Sequence, residues 1–370
     1  MHMKTYPLKS LIIEEAIQLQ FKLVDSVTKE FKGSEILTRG DLGVVPGLNQ
    51  PQTTYKVEKV LANFFEAEAA MLVRGAGTMA IRLALHAVMK PTNTLLVHKA
   101  PIYPTTKTSI EMMSLKTVEA DFNNLDEVRK ILKEHQIDAA LVQFTRQKPE
   151  DAYDIGEVIQ CMKQINPSLP IITDDNYAVA KVPKIGSELG ASLACFSTFK
   201  LLGPEGVGCI IGDKNYIEKL RKENYSGGLQ VQGFEAIDVV RGLIYAPVSL
   251  AISATVSEDV CARLNQGELA GVKEAYIANA QSKVIIVELK EPIASDVLTE
   301  AEKLGGLPNP VGAESKYEFS PLFYRLSGTF RAANPEASKN MIRINPNRSG
   351  SGTVLRILDT AIKRVKNLDI

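Results

Sequence analysis

SLACFSTFKLLGPEGVGCIIG, residues 192–212, contains two apolar runs separated by a polar segment and a glycine-rich turn. The runs SLACFS and GVGCIIG predict strands buried on both faces, and Thr198, Phe199 and Lys200 follow the first strand. Gly203, Pro204 and Gly206 predict the turn between the strands. Apolar surroundings favour the neutral form of an amine, which is the nucleophile that forms a Schiff base.

Similar apolar runs continue outward from this stretch toward the N-terminus. They are AMLV, TLLVH, LKTVEA, DAALVQF and LPIIT, and amphipathic helical patterns such as LDEVRKILKEHQ and IGEVIQCMKQIN separate most of them. This alternation predicts an α/β fold with a mostly parallel central sheet flanked by helices.

Three regions are predicted along the chain. Residues 1–45 form an N-terminal helix and arm, residues 46–245 form the large α/β domain, and residues 246–370 form a smaller C-terminal α+β domain. A long glycine-rich loop is predicted over 38–54. A helix over 233–264, broken near Pro247, leads out of the large domain. The strand candidates of the small domain are SKVIIVELK and NMIRIN.

Composition limits the classes of function. With 370 residues, of which 45% are hydrophobic and 23% charged, the chain is typical of a globular protein. The formal net charge of zero argues against nucleic acid as a partner. Four widely spaced cysteines provide no metal-ligand spacing. The uncharged run over 242–257 is shorter than the ~18 residues of a membrane span, so we expect a cytoplasmic protein without a membrane partner.

A second glycine turn lies in VRGAGTMAIRLAL, where Gly75, Ala76 and Gly77 connect a strand to a helix opened by Thr78. The free N–H groups at such a helix start favour phosphate. With Ala80, the turn also matches the dinucleotide fingerprint GxGxxG/A, so a nucleotide-binding module is an alternative. The next apolar run, however, ends in VHK, where the fingerprint expects an acid.

Two adjacent carboxylates, Asp174 and Asp175, end the strand in LPIITDDNYAVAK. Ligands of open α/β sheets bind beyond the carboxyl ends of the strands. Neighbouring strand residues point to opposite faces, so only one of the two acids can point directly into a site. A helix cap or a solvated turn is the alternative use for these acids.

The order of glycine turn, acid and lysine resembles the fold-type I pyridoxal-phosphate enzymes. The resemblance implies that Lys200 forms the internal aldimine and that Ser197 binds the cofactor phosphate. It also implies that Asp174 pairs with the pyridine nitrogen, with Asp175 as the alternative. Tyr177 belongs to the same overlaid motif, DDNY, and is a further cofactor-binding candidate.

The resemblance assigns the remaining cofactor contacts as well. Ala76, Gly77 and Thr78 correspond to the segment that holds the phosphate, and Tyr103 in APIYPTT corresponds to the ring that stacks on the cofactor in cystathionine lyases. Phe199 departs from the pattern, because cystathionine lyases have a hydroxyl residue there and class V aminotransferases often a histidine.

Five longer stretches resemble the YhfS-like branch of this superfamily. They are LTRGDLGVVPGLNQPQTT, ALVQFTRQKPEDAYD, FKLLGPEGVG, YSGGLQVQG and FYRLSGTFRAANPEASKNMIRINPNRSG. The resemblance covers nearly the whole chain. It indicates relatives without indicating a reaction.

Arginines are the candidate substrate ligands. In MIRIN, Arg343 faces away from Ile342 and Ile344, and the resemblance implies that it binds the substrate α-carboxylate. Arg146 corresponds to a position near the cofactor ring. Weaker candidates are Arg325, Arg331 and Arg348 for a second substrate anion, and Gly227 and Gly228 for contacts across a homodimer with a shared active site.

An amino-acid or amine aminotransferase is the first prediction of function. The alternatives are a β- or γ-lyase, which Tyr103 favours, racemisation, which uses the same residues, and a nucleotide-binding module or a pseudoenzyme. Desulfuration is disfavoured, because no cysteine follows Cys261.

Overall fold

The computed structural model describes residues 4–146, 148–278, 283–312, 314–333 and 335–368, and the chain divides into two compact units. The larger unit consists of Glu15–Thr145 and Ala152–Pro247, and the smaller unit of Met1–Glu14, Arg146–Asp151 and Val248–Ile370. Each unit has its own sheet and apolar core. The three regions predicted from the sequence stay a prediction.

A seven-stranded sheet forms the centre of the larger unit. Its strands are β1 (Ala69–Arg74), β2 (Thr94–His98), β3 (Lys116–Ala120), β4 (Ala139–Gln143), β5 (Ile171–Asp174), β6 (Leu193–Ser197) and β7 (Val207–Gly212). They lie in the order β1-β7-β6-β5-β4-β2-β3. β7 is antiparallel to both neighbours, and all other neighbouring pairs are parallel, which confirms the mostly parallel sheet.

Burial follows the position of each strand in the sheet. Every residue of β5, β6 and β7 is buried, so both faces of the sheet are covered there, as their apolar sequences predict. β3 is the exception among the predicted two-face strands. It is an edge strand with a single neighbour and exposes Lys116 and Thr117.

Helices connect the strands of this unit. They are α1 (Ile13–Glu30), α2 (Gln52–Phe64), α3 (Ala76–Val88), α4 (Pro104–Met112), α5 (Leu125–Glu134), α6 (Ile155–Ile165) and α7 (Lys214–Glu223), with 3₁₀ helices at Gly33–Leu37, Gly186–Leu189 and Thr198–Leu201. Ala84 and Leu85 of α3 share an apolar core with the strand residues Ile172, Leu193 and Ile210. The loop predicted over 38–54 ends at residue 51, because α2 begins at Gln52.

Helix α8 (Gly233–Asn265) continues through Pro247, so the predicted break is wrong. A proline removes one backbone hydrogen bond, and the bonds of the neighbouring turns are enough to continue this 33-residue helix. Among the described residues, α8 is the one helix long and apolar enough to cross a membrane by length and composition. More than half of its apolar stretch is buried inside the protein, which is typical of a core helix.

The smaller unit contains a four-stranded antiparallel sheet. Its strands are β8 (Val272–Ile277), β9 (Ile285–Leu289), β10 (Leu322–Tyr324) and β11 (Met341–Asn345), in the order β10-β11-β9-β8. Its helices are α9 (Ala294–Lys303), α10 (Gly328–Ala333) and α11 (Ser351–Val365), with a 3₁₀ helix at Pro335–Lys339. Val297 of α9 and Leu358 of α11 share an apolar core with Ile285, Val287 and Ile342.

Candidate active site

Lys200 lies in the 3₁₀ helix that follows β6, at the carboxyl end of that strand. Its side chain is half-buried, and its Nζ donates a hydrogen bond of 3.1 Å to Asn176 Oδ1. Nζ also lies 4.0 Å from the ring centroid of Tyr177, which is within the range of a cation–π contact. The sequence-predicted lysine and tyrosine are therefore neighbours.

Asn176 links Lys200 to the end of β5. Its Nδ2 donates to Asp174 Oδ1 at 2.7 Å, and its Oδ1 accepts from the backbone N of Ser197 at 3.0 Å as well as from Lys200. One amide therefore orients the candidate lysine, acid and serine. The sequence pattern indicates no separate role for Asn176, although its position two residues after Asp174 is a signal that could reveal one.

The two adjacent acids have different surroundings. Asp174 is 8% exposed, and it interacts electrostatically with Lys200. Burial raises the pKa of the Asp174 carboxyl, while hydrogen bonds from Asn176 and the charge of Lys200 act in the opposite direction. Asp175 is fully buried, and its Oδ2 accepts the Gly186 N–H at 2.7 Å. Asp174 is thus the acid on the side of Lys200.

The phosphate turn predicted from the sequence joins β1 to α3. Gly75 is the N-cap of α3 with φ of 99°, and Ala76 has φ of 54°, so both adopt left-handed conformations. The N–H groups of Gly75 and Ala76 both donate to Gly206 O, at 2.7 and 3.0 Å. The turn between β6 and β7 therefore supports the phosphate turn, while Gly77 and Thr78 lie in the first turn of α3, where N–H groups have no intrahelical acceptor.

Gly77 packs directly on Asn176. A Cβ added at Gly77 would lie 2.8 Å from both Nδ2 and Oδ1 of that amide. No real Cβ approaches so closely, and three hydrogen bonds hold the amide in place. Glycine at position 77 is therefore what allows the helix start to contact the residue that links Asp174 and Lys200.

Gly77→Ala is expected to weaken pyridoxal phosphate binding by about tenfold to a hundredfold, because displacing Asn176 breaks at least one or two hydrogen bonds to charged groups. The measurement is titration of the cofactor-free protein with pyridoxal phosphate, followed by absorption. Gly352→Ala is the matched control, since a Cβ there meets nothing within 4 Å. Unchanged affinity in Gly77→Ala would contradict the expectation.

The residues between Ser197 and Lys200 differ in what their side chains contact. Ser197 is buried at the end of β6, beside Asn176. The Thr198 hydroxyl donates to Val207 O at 3.0 Å, so its proton is used within the fold. Phe199 is half-buried. The departure at Phe199 thus leaves Ser197 as the hydroxyl candidate for the phosphate.

Tyr103 lies on the loop that leads from β2 into α4 and is the N-cap residue of α4. Its side chain is 53% exposed. The starts of α3 and α4 are joined by a 3.2 Å hydrogen bond from Thr78 Oγ1 to Thr105 Oγ1. Tyr103 therefore lies at the start of a helix, α4, that is hydrogen-bonded to the first turn of α3. Its stacking role stays a prediction.

The predicted substrate arginines belong to the smaller unit. Ile342 and Ile344 are buried, as the alternation in β11 predicts. Arg343 is half-buried, its Nε donates to Arg325 O at 2.7 Å, and its guanidinium lies 4.0 Å from the Tyr324 ring centroid. Arg146 is buried and donates to Tyr6 O.

The weaker arginine and glycine candidates differ in their exposure and in their hydrogen bonds. Arg348 donates to the backbone oxygens of Glu314 and Glu318, and burial lowers its pKa. The side chains of Arg325 and Arg331 are exposed, and Gly227 and Gly228 lie in an exposed turn. Among the described residues, no group of three or more His, Cys, Asp or Glu side chains could hold a metal ion.

Comparison with protein families identifies the relatives of this chain. The aminotransferase class-V family model matches residues 47–239, and the model of the YhfS-like C-terminal domain matches residues 258–358. The Escherichia coli protein YhfS is 57% identical over 363 residues, which cover 98% of this chain and 100% of that protein. The chain is a YhfS-like member of the aminotransferase class-V family.

Solved structures agree with this family. The crystal structure of the pyridoxal-5′-phosphate-dependent protein YhfS from E. coli has a TM-score of 0.96 to the YhfS-like chain at 57% identity, covering 98% of this chain and 100% of that one. A cystathionine γ-lyase from Micromonospora echinospora has a TM-score of 0.73 at 14% identity, covering 93% and 98%. A cystathionine γ-synthase from Xanthomonas oryzae pv. oryzae has a TM-score of 0.71 at 16% identity, covering 95% and 98%.

These matches confirm two predictions about the YhfS-like chain. The chain has the fold-type I architecture of pyridoxal-phosphate enzymes, and its resemblance to the YhfS-like branch is confirmed at the level of family. The lyase and synthase share the fold at identities too low to indicate a common reaction.

Proposed function

We propose that this YhfS-like chain is a pyridoxal-phosphate-dependent aminotransferase for an amino acid or an amine. Its class-V family and its 57% identity to the pyridoxal-phosphate-dependent YhfS support the cofactor. The observation that carries the proposal is the hydrogen-bonded series Lys200–Asn176–Asp174, which follows the carboxyl ends of two neighbouring parallel strands. Ligands of open α/β sheets bind at this edge.

The donor set fits the cofactor. Lys200 supplies an amine for the aldehyde, and Asp174 supplies a carboxylate for the ring nitrogen. The first turn of α3 supplies N–H groups at the positive end of a helix, which suits a phosphate. Ser197 adds a hydroxyl beside Asn176, whose contacts already hold the lysine and the acid at neighbouring positions.

When bound, pyridoxal phosphate withdraws electrons from the substrate α-carbon. Lys200 would hold the cofactor through Nζ, and its amine, when free, would move the α-proton of the substrate. Asp174 would keep the ring nitrogen protonated, because its negative charge stabilises the positive charge there. Asn176 orients both residues and prevents Lys200 from swinging into solvent.

The left-handed Tyr177 backbone, with φ of 66°, fixes the ring beside Lys200. Such a conformation in a bulky residue costs about 1–3 kcal/mol and is typical of functional sites. We assign Tyr177 to the cofactor ring and the segment Ala76, Gly77 and Thr78 to the phosphate, with Gly77 and Thr78 as the N–H donors because the Ala76 N–H donates to Gly206 O. Tyr103 remains the stacking candidate.

Arg343 and Arg146 are proposed as substrate ligands. The guanidinium of Arg343 is held from two sides, by Arg325 O and by the face of Tyr324, which presents a fixed fork suited to a carboxylate. Arg146 is held by Tyr6 O. Both roles follow from the family resemblance.

Reaction type is tested by mixing the holoenzyme with single L- and D-amino acids. Transamination predicts that the visible band converts to the pyridoxamine form with release of a keto acid and no ammonia, because the amino group stays on the cofactor. Ammonia and keto acid with restoration of the band would instead support the β- or γ-lyase, which the position of Tyr103 in the lyase pattern favours. The absence of any band after incubation with pyridoxal phosphate would contradict both.

A homodimer is part of the proposal. Large apolar side chains are exposed on two segments, 37–44 and 225–234, namely Leu37, Leu42, Val44, Tyr225, Leu229 and Phe234. Gly43 N donates to Gln232 Oε1 at 2.7 Å, and Gly233 N donates to Asp41 O at 2.9 Å, so the segments lie together. Apolar patches of this kind favour association, here with a second copy, which brings Gly227 and Gly228 to an interface.

Localisation and other partners follow the same proposal. We place the enzyme in the cytoplasm, with small-molecule substrates and without a nucleic-acid or membrane partner. The formal net charge of zero supports the absence of a nucleic-acid partner, and the burial of more than half of the apolar stretch of α8 supports a core role for that helix.

A further inference from the structure

Asp175 is a buried acid that the mechanism above does not use. It follows β5 directly, its side chain is fully buried, and its backbone N–H donates to Cys195 O of β6 at 2.9 Å. Its Oδ2 accepts the N–H of Gly186, the first residue of the 3₁₀ helix Gly186–Leu189. Asp175 therefore joins the two ends of the segment 175–186, which contains Asn176 and Tyr177, and its own backbone attaches that segment to β6.

Two buried polar atoms on the same face of the chain lack a partner at this position. Within the described part of the chain, Asp175 Oδ1 and Thr173 Oγ1 are buried and have no hydrogen bond. Thr173 and Asp175 are two residues apart and share one face of the strand. A buried polar atom without a partner costs about 1–3 kcal/mol. One hydrogen bond between these two atoms removes the cost for both.

The charges around Asp175 oppose its ionisation. Burial raises the pKa of its carboxyl to about 7, and the neighbouring Asp174 and Glu188 act in the same direction, whereas Thr173 and Gly186 act against it. The buried Cys195 thiol on β6 also interacts with this carboxyl. The negative charges of Asp174 and Glu188 thus come from both segments packed beside it.

We propose that Asp175 is a positioning residue that carries a proton on Oδ1 and donates it to Thr173 Oγ1 in the folded enzyme. Folding on the acid side of neutral pH then takes up a proton from solvent, since the exposed carboxyl of the unfolded chain, with its ordinary pKa of 3.8, is ionised there. Asp174 is left as the ionised carboxylate of the pair, on the side of Lys200. The role of Asp174 rests on the proposed function, whereas the protonation of Asp175 does not.

The first test is infrared difference spectroscopy of the cofactor-free protein at about pH 5. Subtracting the spectrum of Asp175→Asn from that of the wild type is expected to reveal the carbonyl stretch of one protonated carboxylic acid. In Thr173→Val, which keeps the shape of the side chain, that stretch should shift to the higher frequency of an acid without a hydrogen-bonded partner. Absence of the acid stretch, or no shift in Thr173→Val, would overturn the proposal.

The second test is the pH dependence of the melting temperature of the cofactor-free protein. A carboxyl whose pKa is raised on folding contributes stability that is fully present below its unfolded value, 3.8, and is lost as pH rises through about 7. Asp175→Asn keeps a neutral side chain that can still bond Thr173 and Gly186. The melting temperature of the wild type should therefore fall relative to that of Asp175→Asn by on the order of 5 °C between pH 5 and 9.

The outcomes separate this inference from the proposed function. Parallel pH profiles of the two proteins would overturn the protonated Asp175, because all other titrating groups are shared. Absence of a cofactor absorption band in the wild type after incubation with pyridoxal phosphate would instead contradict the proposed function. Neither result depends on the other, since both Asp175 tests use the cofactor-free chain.

Discussion

Lys200→Ala is expected to abolish the visible absorption band of the holoenzyme and to reduce turnover by about 10⁴-fold or more. In the proposed function, Nζ attaches the cofactor and also moves the substrate α-proton. Nζ lies 3.1 Å from Asn176 Oδ1 and 4.0 Å from the Tyr177 ring centroid, and it interacts electrostatically with Asp174, so this amine is the base beside that acid. The measurements are the absorption spectrum and the release of keto acid.

Two further variants determine whether the amine itself is responsible. Lys200→Arg retains a positive charge but cannot supply a neutral amine, because a guanidinium stays protonated, so it should be as inactive as Lys200→Ala. Lys184→Ala removes an exposed lysine of the same unit and should leave the band and the turnover unchanged. Borohydride treatment followed by peptide mapping should place the trapped cofactor on Lys200. Trapping on another lysine would contradict the assignment.

The fold of the larger unit could be predicted because its signals are local. β5, β6 and β7 are short apolar runs bounded by turn residues, and the burial of every residue in them follows from that composition. The glycine turn before α3 could likewise be predicted from the sequence, because the backbone at position 75, with φ of 99°, favours a residue without a Cβ.

The less regular elements could not be predicted from such signals. β10 has only three residues, and β8 pairs with β9 through a register shift between Val272 and Glu274, so neither has a long apolar or alternating run. The continuity of α8 through Pro247 was missed because proline is a local helix breaker, whereas the packing of the surrounding turns is a tertiary property.

The site shows the same limit. Lys200, Asp174 and the phosphate turn have individual sequence signals, but Asn176 acquires its role only when β6 and α3 approach the end of β5. Its contacts reach Ser197, 21 residues away, and Gly77, which a Cβ would bring within 2.8 Å of the amide. Which of Asp174 and Asp175 lies on the side of Lys200 also depends on the face of β5 that each side chain occupies, which the sequence pattern leaves open.

Asp174→Asn is expected to keep the cofactor bound and to lower turnover by about 10³-fold. Lys200 and the first turn of α3 still hold the cofactor, so the visible band persists. An amide is neutral, so it no longer favours the protonated ring nitrogen that accepts electrons from the substrate. The lost electrostatic stabilisation appears in kcat, because it acts on the charge that develops during the reaction.

Two further variants, Asp174→Glu and Asp175→Asn, distinguish which of the two acids pairs with the ring nitrogen. Asp174→Glu restores the charge one methylene further out and should recover part of the lost turnover, which a purely structural role of Asp174 would not produce. If Asp175 were the acid that pairs with the ring nitrogen, Asp175→Asn would instead show the loss in kcat, and Asp174→Asn would retain most of its turnover. Melting curves of all three variants distinguish a lower kcat from partial unfolding. The 8% exposure of Asp174, its electrostatic contact with Lys200 and the complete burial of Asp175 beside Gly186 support the first outcome.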